Sequence, residues 1–284
     1  MRDLLALIAA AAWGASTVYA GRAVRQGSVM SLTFWSQFLG LIVGVPVVLF
    51  VGDGAVTPHV LATGAIAGVA IAGALLVLYL STRYLFVGIA SSLSAVVACL
   101  GPVIYTSINH PISTQSSVGV AICIVSIAVV AGWQRQRAAP VEERARYAAL
   151  LGFFFALLSG VGMSVYYVAL AGTSVDAQIW RATETRLVSS ILIFIGCSIF
   201  ARGSIRLSTS EIKVALPVGM LGVVGSLAYA LAATSSSLAT VVPISSLSPV
   251  VSVALGWLML REKVSKLQCV GLFFAMAGVV LITS

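Results

Sequence analysis

Charge is what this sequence has least of. Of its 284 residues, 8% are Asp, Glu, Lys or Arg, against roughly 25% in a soluble domain. Acidic residues are the scarcer sign, eight against sixteen basic ones. The two histidines, His59 and His110, fall in connections with no metal-ligand or Ser/His partner beside them. Cys99, Cys123, Cys197 and Cys269 all lie inside apolar stretches without metal-ligand spacing, as small packing residues do. Long hydrophilic runs are missing too, apart from Trp133 to Tyr147. These absences argue against a membrane enzyme, against a receptor with a soluble domain, and against any cofactor.

What is there is apolar. Hydrophobic residues make up 60% of the chain and the mean hydropathy is +1.09. A helix crosses the hydrocarbon core in about 20 residues. Ten apolar stretches satisfy that length, at 4–21, 31–51, 60–82, 86–106, 113–132, 148–171, 177–201, 213–232, 236–259 and 266–283. The first runs apolar from Leu4 to Ala20 and reads as a retained span rather than a signal peptide. The fold class predicted is an all-α integral membrane protein of ten transmembrane helices, with the lipid bilayer as its surroundings. The net charge of +8 sits in membrane-flanking loops, so it is topological and calls for no nucleic-acid partner.

The basic residues change loops halfway. In the first half they follow stretches one and three (Arg22, Arg25; Arg83). In the second half they follow stretches two and four (Arg202, Arg206, Lys213; Arg261, Lys263, Lys266). Basic loops stay cytoplasmic, so the second five-span unit is inserted upside down relative to the first. Inverted repeats of this kind are typical of secondary transporters. Weak identities support the repeat: Trp13-Gly14 on Ser159-Gly160, Gly101-Pro102-Val103 on Ser248-Pro249-Val250, and Ser113…Gly119 on Ser265…Gly271. The organisation expected is a first repeat at 1–132, a basic cytoplasmic linker at 133–147 and a second repeat at 148–284. With Arg135, Arg137, Arg144 and Arg146 of the linker, thirteen basic residues face one side. That puts both termini on the exterior side.

Trp-Gly in span one, Ser-Pro in span nine, and Leu260-Arg261-Glu262-Lys263-Val264-Ser265 leading to Gln268 and Gly271 resemble the EamA repeat. Two such repeats resemble the ten-helix branch of the drug/metabolite transporter superfamily. In that pattern a Gly usually stands where Arg261 stands here, and the first half carries Asn109-His110-Pro111 in place of the Gly-Glu segment. The resemblance implies a bacterial inner-membrane exporter of amino acids, aromatic ones included, or of similar metabolites. Sister groups carry sugar-nucleotides or phosphorylated metabolites. It also implies a cavity lined mainly by the first, third and fourth helices of each repeat, with the fifth helices set away from it.

A carrier working by alternating access needs a polar midplane cavity and two gates. Trp13, Ser16 and Tyr19 recur three apart on one face of span one. Tyr79 and Arg83 on span three, Ser94 among Ser91, Ser92 and Ser94 on span four, Tyr166 beside Tyr167, Tyr229, and Ser245 beside Ser246 and Ser248 complete the substrate-binding candidates. Any one of these residues also fits a helix-packing or interfacial role. Pro102, Pro243 and Pro249 fall inside expected helices, where each frees a carbonyl, and are the gating candidates. Glu184 lies about 12 Å into span seven, with Arg181 one turn before it. An ion pair is the simpler reading and a coupling carboxylate the sharper one. Gly271, Ala275 and Gly278 give span ten a small-residue face, suited to internal packing in a monomer or to a homodimer.

Overall fold

In lipid, a backbone amide has no water to turn to, so apolar stretches of this length must close their hydrogen bonds as helices. The computed structural model describes residues 2–25, 27–51, 56–107, 114–115, 117–122, 125, 143–170, 175–200, 209–233, 244–245, 247–262 and 266–283. Nine helices are delimited among them: α1 (Arg2–Val24), α2 (Val29–Val51), α3 (Pro58–Ser81), α4 (Val87–Ser107), α5 (Glu143–Leu170), α6 (Val175–Phe200), α7 (Thr209–Ala233), α8 (Ser248–Leu260) and α9 (Lys266–Thr283). Helical residues at 114–115, 117–122 and 125 stand in the place of the fifth span. Among the described residues, α1, α2, α3, α5, α6 and α7 contain stretches long and apolar enough to cross a membrane. The fold is all-helical and fits a ten-helix, two-repeat order.

Local signals set the ends. Thr57 caps α3, its Oγ1 accepting from the Val60 N–H, and Pro58 follows at the first turn, where its missing donor is not needed. Helix α5 begins at Glu143, several residues inside the stretch expected to be linker. Hydroxyls inside the helices return to the preceding turn, as half-buried Thr17 does to the Trp13 carbonyl (2.9 Å) and buried Thr33 to that of Val29 (2.7 Å).

The tightest packing joins one repeat to the other. Helix α1 packs on α7, and α5 on α3; α1 also packs on α8, and α5 on α4; α2 packs on α7, and α6 on α3. Helices α2 and α6 meet each other, as do α4 and α8. Exchanging the first four helices for α5–α8 turns the first six packings into one another and the α2–α6 and α4–α8 packings into themselves, which is what a pseudo-two-fold requires.

Two glycines show the symmetry at atomic scale. A Cβ on Gly14 would stand 2.6 Å from the Ser248 carbonyl oxygen and 2.6 Å from Val251 Cβ. A Cβ on Gly160 would stand 2.6 Å from the Ser94 carbonyl oxygen and 2.5 Å from Val97 Cβ. Only glycine lets these backbones cross so closely. The crossings match Ser248 with Ser94, so Pro249 corresponds to Ala95 and not to Pro102 as the sequence superposition has it.

The prolines need a second correction. Helix α8 starts at Ser248 with Leu247 as its cap, not at 236. Pro249 therefore sits in the first turn, where its lack of a donor breaks no bond within the helix. Pro102 does lie within α4, and Pro243 lies outside the described residues. The interior prolines that sequence reading passed over are Pro46 in α2 and Pro217 in α7.

Candidate functional site

Between the repeats lies a cavity of about 170 Å³. Helices α1–α4 and α5–α8 all contribute to its wall, and among the described residues α9 does not. The first, third and fourth helices of each repeat take part as the resemblance implies, and the second helices, α2 and α6, join them.

One side is hydroxyl-rich. Ser16 is buried and donates to the Val218 carbonyl across the repeat boundary (2.9 Å). Tyr79, Ser36 and Gln37 stand near it, and Gln37 Oε1 accepts from the Ser189 hydroxyl (3.3 Å). Ser94 and Ser159 share a hydrogen bond at 3.0 Å. Ser252 donates to the Gly14 carbonyl (3.2 Å), at the α1–α8 crossing. The other side is aromatic, with Trp13, Tyr166 and Tyr167 in the wall. The Trp13 ring rests on Tyr229, centroids 5.6 Å apart. Gly225 makes room for it: a Cβ there would come within 2.5 Å of Trp13 Cδ1.

Arg186 supplies the charge. Its side chain is 8% exposed and reaches the cavity from α6. Nη2 donates to Ser226 Oγ on α7 at 3.3 Å. The guanidinium lies between two glycines, one from each repeat. A Cβ on Gly40 would overlap Nη1, and one on Gly222 would stand 3.5 Å from Nη2. Among the described residues no carboxylate lies within salt-bridge distance of it, and the sole ion pair is Arg25 with Glu262. In the sequence Arg186 reads, with Arg181, as a possible loop charge on the N-terminal side and not as a site residue.

Of the substrate-binding candidates, Trp13, Ser16, Tyr79, Ser94 and Tyr166 meet in this wall. Tyr229 stands behind it, against Trp13. Tyr19 packs instead into the hydrophobic core. Ser245 is buried with its hydroxyl unpartnered and does not line the cavity. Arg83 turns away: its Nε donates to the Val24 carbonyl (3.1 Å) and Nη2 to that of Gly27, tying α3 to the end of α1. Arg181 and Glu184 form no salt bridge within 4 Å, though each lies within electrostatic reach of the other. Arg181 is 1% exposed with Nε and Nη1 unpartnered, while the Glu184 carboxylate fills the space beside Gly64 of α3. Neither lines the cavity.

The Arg25–Glu262 pair closes the basic end. Arg261 takes a left-handed conformation (φ 54°) at the end of α8, which folds Glu262 back under the helix beside Gly256. There the buried Glu262 carboxylate accepts from Arg25 and from the Val87 N–H (3.0 Å) at the start of α4. One side chain thus joins the ends of α1, α4 and α8. Chemically, the cavity can hold an anionic group against Arg186 and an apolar or aromatic body against Trp13 and Tyr166.

A solved crystal structure of a protein is similar over almost its full length. It is 17% identical, covers 99% of this chain and 96% of its own, and has a TM-score of 0.68, a likeness of fold. No curated protein matches the chain. The model of the EamA-like transporter family matches residues 1–132 and 150–284. With that family model matching nearly the whole of a multi-pass helical chain, the protein belongs to the EamA-like transporter family, whose members carry small solutes across membranes.

Proposed function

We propose that the chain carries small carboxylate-bearing metabolites, amino acids foremost and aromatic ones included, by alternating access at the cavity between the repeats. The observation that carries this reading is Arg186. A buried guanidinium facing a cavity, held by a hydroxyl and, among the described residues, by no carboxylate, is a ready partner for a carboxylate group. The aromatic wall suits the apolar part of an amino acid and can face its ammonium. Sugar-nucleotides and phosphorylated metabolites fit less well. They call for several convergent cations, and Arg186 is the one Lys or Arg in the cavity wall among the described residues. A cavity of about 170 Å³ also favours a small solute over a nucleotide.

The direction is export from the cytoplasm of a bacterium across its inner membrane. The basic end is cytoplasmic by the positive-inside rule, with both termini outside. Counterflow in proteoliposomes tests the substrate class. The panel holds amino acids, the matching decarboxylated amines and sugar phosphates. Carboxylates should exchange and the amines should not. Arg186→Gln should lose about tenfold to a hundredfold in apparent affinity, while Arg83→Gln should retain wild-type affinity. Wild-type transport by Arg186→Gln would reject the reading.

A further inference from the structure

The cavity wall carries one full charge and, among the described residues, nothing to balance it. Arg186 is the seventh residue of the apolar stretch Trp180–Ile199 of α6, about 9 Å along it, inside a core about 30 Å thick. Each of the three acids with described side chains is committed or distant. Glu262 is bound at the basic end by Arg25 and the Val87 N–H. Glu184 points from another face of α6 toward Gly64. Asp3 is exposed in the first turn of α1. Ser226, the hydrogen-bond partner of the guanidinium, is neutral.

Alternating access passes through a state in which both gates are shut and water is driven out. A lone guanidinium sealed into that space loses its hydration and gains no counter-charge. A bound carboxylate supplies the counter-charge. From this we infer that the carrier crosses the closed state only when loaded, so that it is an obligate exchanger of carboxylate-bearing solutes. Export of one such solute is then tied to inward movement of another. The inference rests on the carboxylate reading above and adds a coupling rule to it. Arg186 has two tasks in it: it binds the substrate and it blocks the empty return.

The test compares uptake of one labelled amino acid, identified by counterflow, into two sets of proteoliposomes. One set holds unlabelled amino acid and the other only chloride buffer. Initial uptake should be at least about tenfold faster into the amino-acid-loaded vesicles. Equal uptake into both would overturn the exchange rule, because the empty or chloride-bearing carrier would then return freely. No uptake into either set by any carboxylate of the panel would instead overturn the reading beneath it. Arg186→Gln separates the two tasks. Assayed at high substrate concentration and checked for a monodisperse fold, its residual uptake should be slow and equal in both vesicle sets. Residual uptake that still needed internal amino acid would place the coupling elsewhere and refute the assignment to Arg186.

Discussion

Gly40 and Arg186 occupy one another's space. A single methyl group on Gly40 would overlap Nη1 of the guanidinium and stand 3.0 Å from its Cζ. The missing side chain on α2 is what lets the cation of α6 extend toward Ser226 of α7.

Gly40→Ala should therefore displace the guanidinium without removing it. Apparent affinity for carboxylate substrates should fall by about tenfold, near 1.4 kcal/mol, while the protein still folds. Gly73→Ala is the control, since nothing lies within 4 Å of a Cβ there. Uptake measured at matched protein amounts decides it. Equal affinities for the two variants would reject the positioning role of Gly40.

Arg261 stands in a left-handed conformation that disfavours any residue with a Cβ by about 1–2 kcal/mol. Arg261→Gly should relieve that strain and raise stability by about 0.5–1 kcal/mol. Thermal unfolding in detergent should show a higher midpoint. A lower one would mean that the arginine side chain holds something more valuable than the backbone loses.

Glu262 serves two partners and Arg25 one. Glu262→Ala removes both the ion pair and the acceptor for the Val87 N–H, and should destabilise by about 1–3 kcal/mol. Arg25→Ala should do less, its side chain being 39% exposed. Reversal of that order in unfolding midpoints would contradict the closure described at the basic end.

The matched crossings at Gly14 and Gly160 predict matched penalties. Either glycine changed to Ala should cost about 1–3 kcal/mol by overpacking against a backbone carbonyl. Fluorescence-monitored melting of the two variants tests this. Wild-type stability in one and a large loss in the other would show that the crossings are not equivalent.

Alkaline phosphatase fused after Ser284 should be active in a bacterial host, and a green fluorescent fusion at the same point dark. The opposite pattern would reverse the orientation drawn from the basic loops.

The helices were legible because apolar length in a chain so poor in charge leaves few other readings. The inversion was legible because loop charge records topology. The wall residues Trp13, Ser16, Tyr79 and Tyr166 were legible as polar or aromatic groups stranded in apolar spans. Arg186 was not. Five residues from Arg181, it looks like one more loop charge, and only the packing of α6 against Gly40 shows that it is interior. Arg83 failed in the opposite direction. Four residues after Tyr79, it shares a helical face on paper, yet α3 ends at Ser81 and the arginine folds onto the end of α1. Pro249 misled because a proline in an apolar run looks interior until the helix start is known.

Since the main packings join helices of opposite repeats, neither half owns a core. While the chain is being synthesised, α1–α4 enter the bilayer before their principal neighbours exist, and must wait there with glycine crossings unfilled. The N-terminal half alone should be an open assembly that proteases find, and two separately made halves should persist only when both are present in the same membrane.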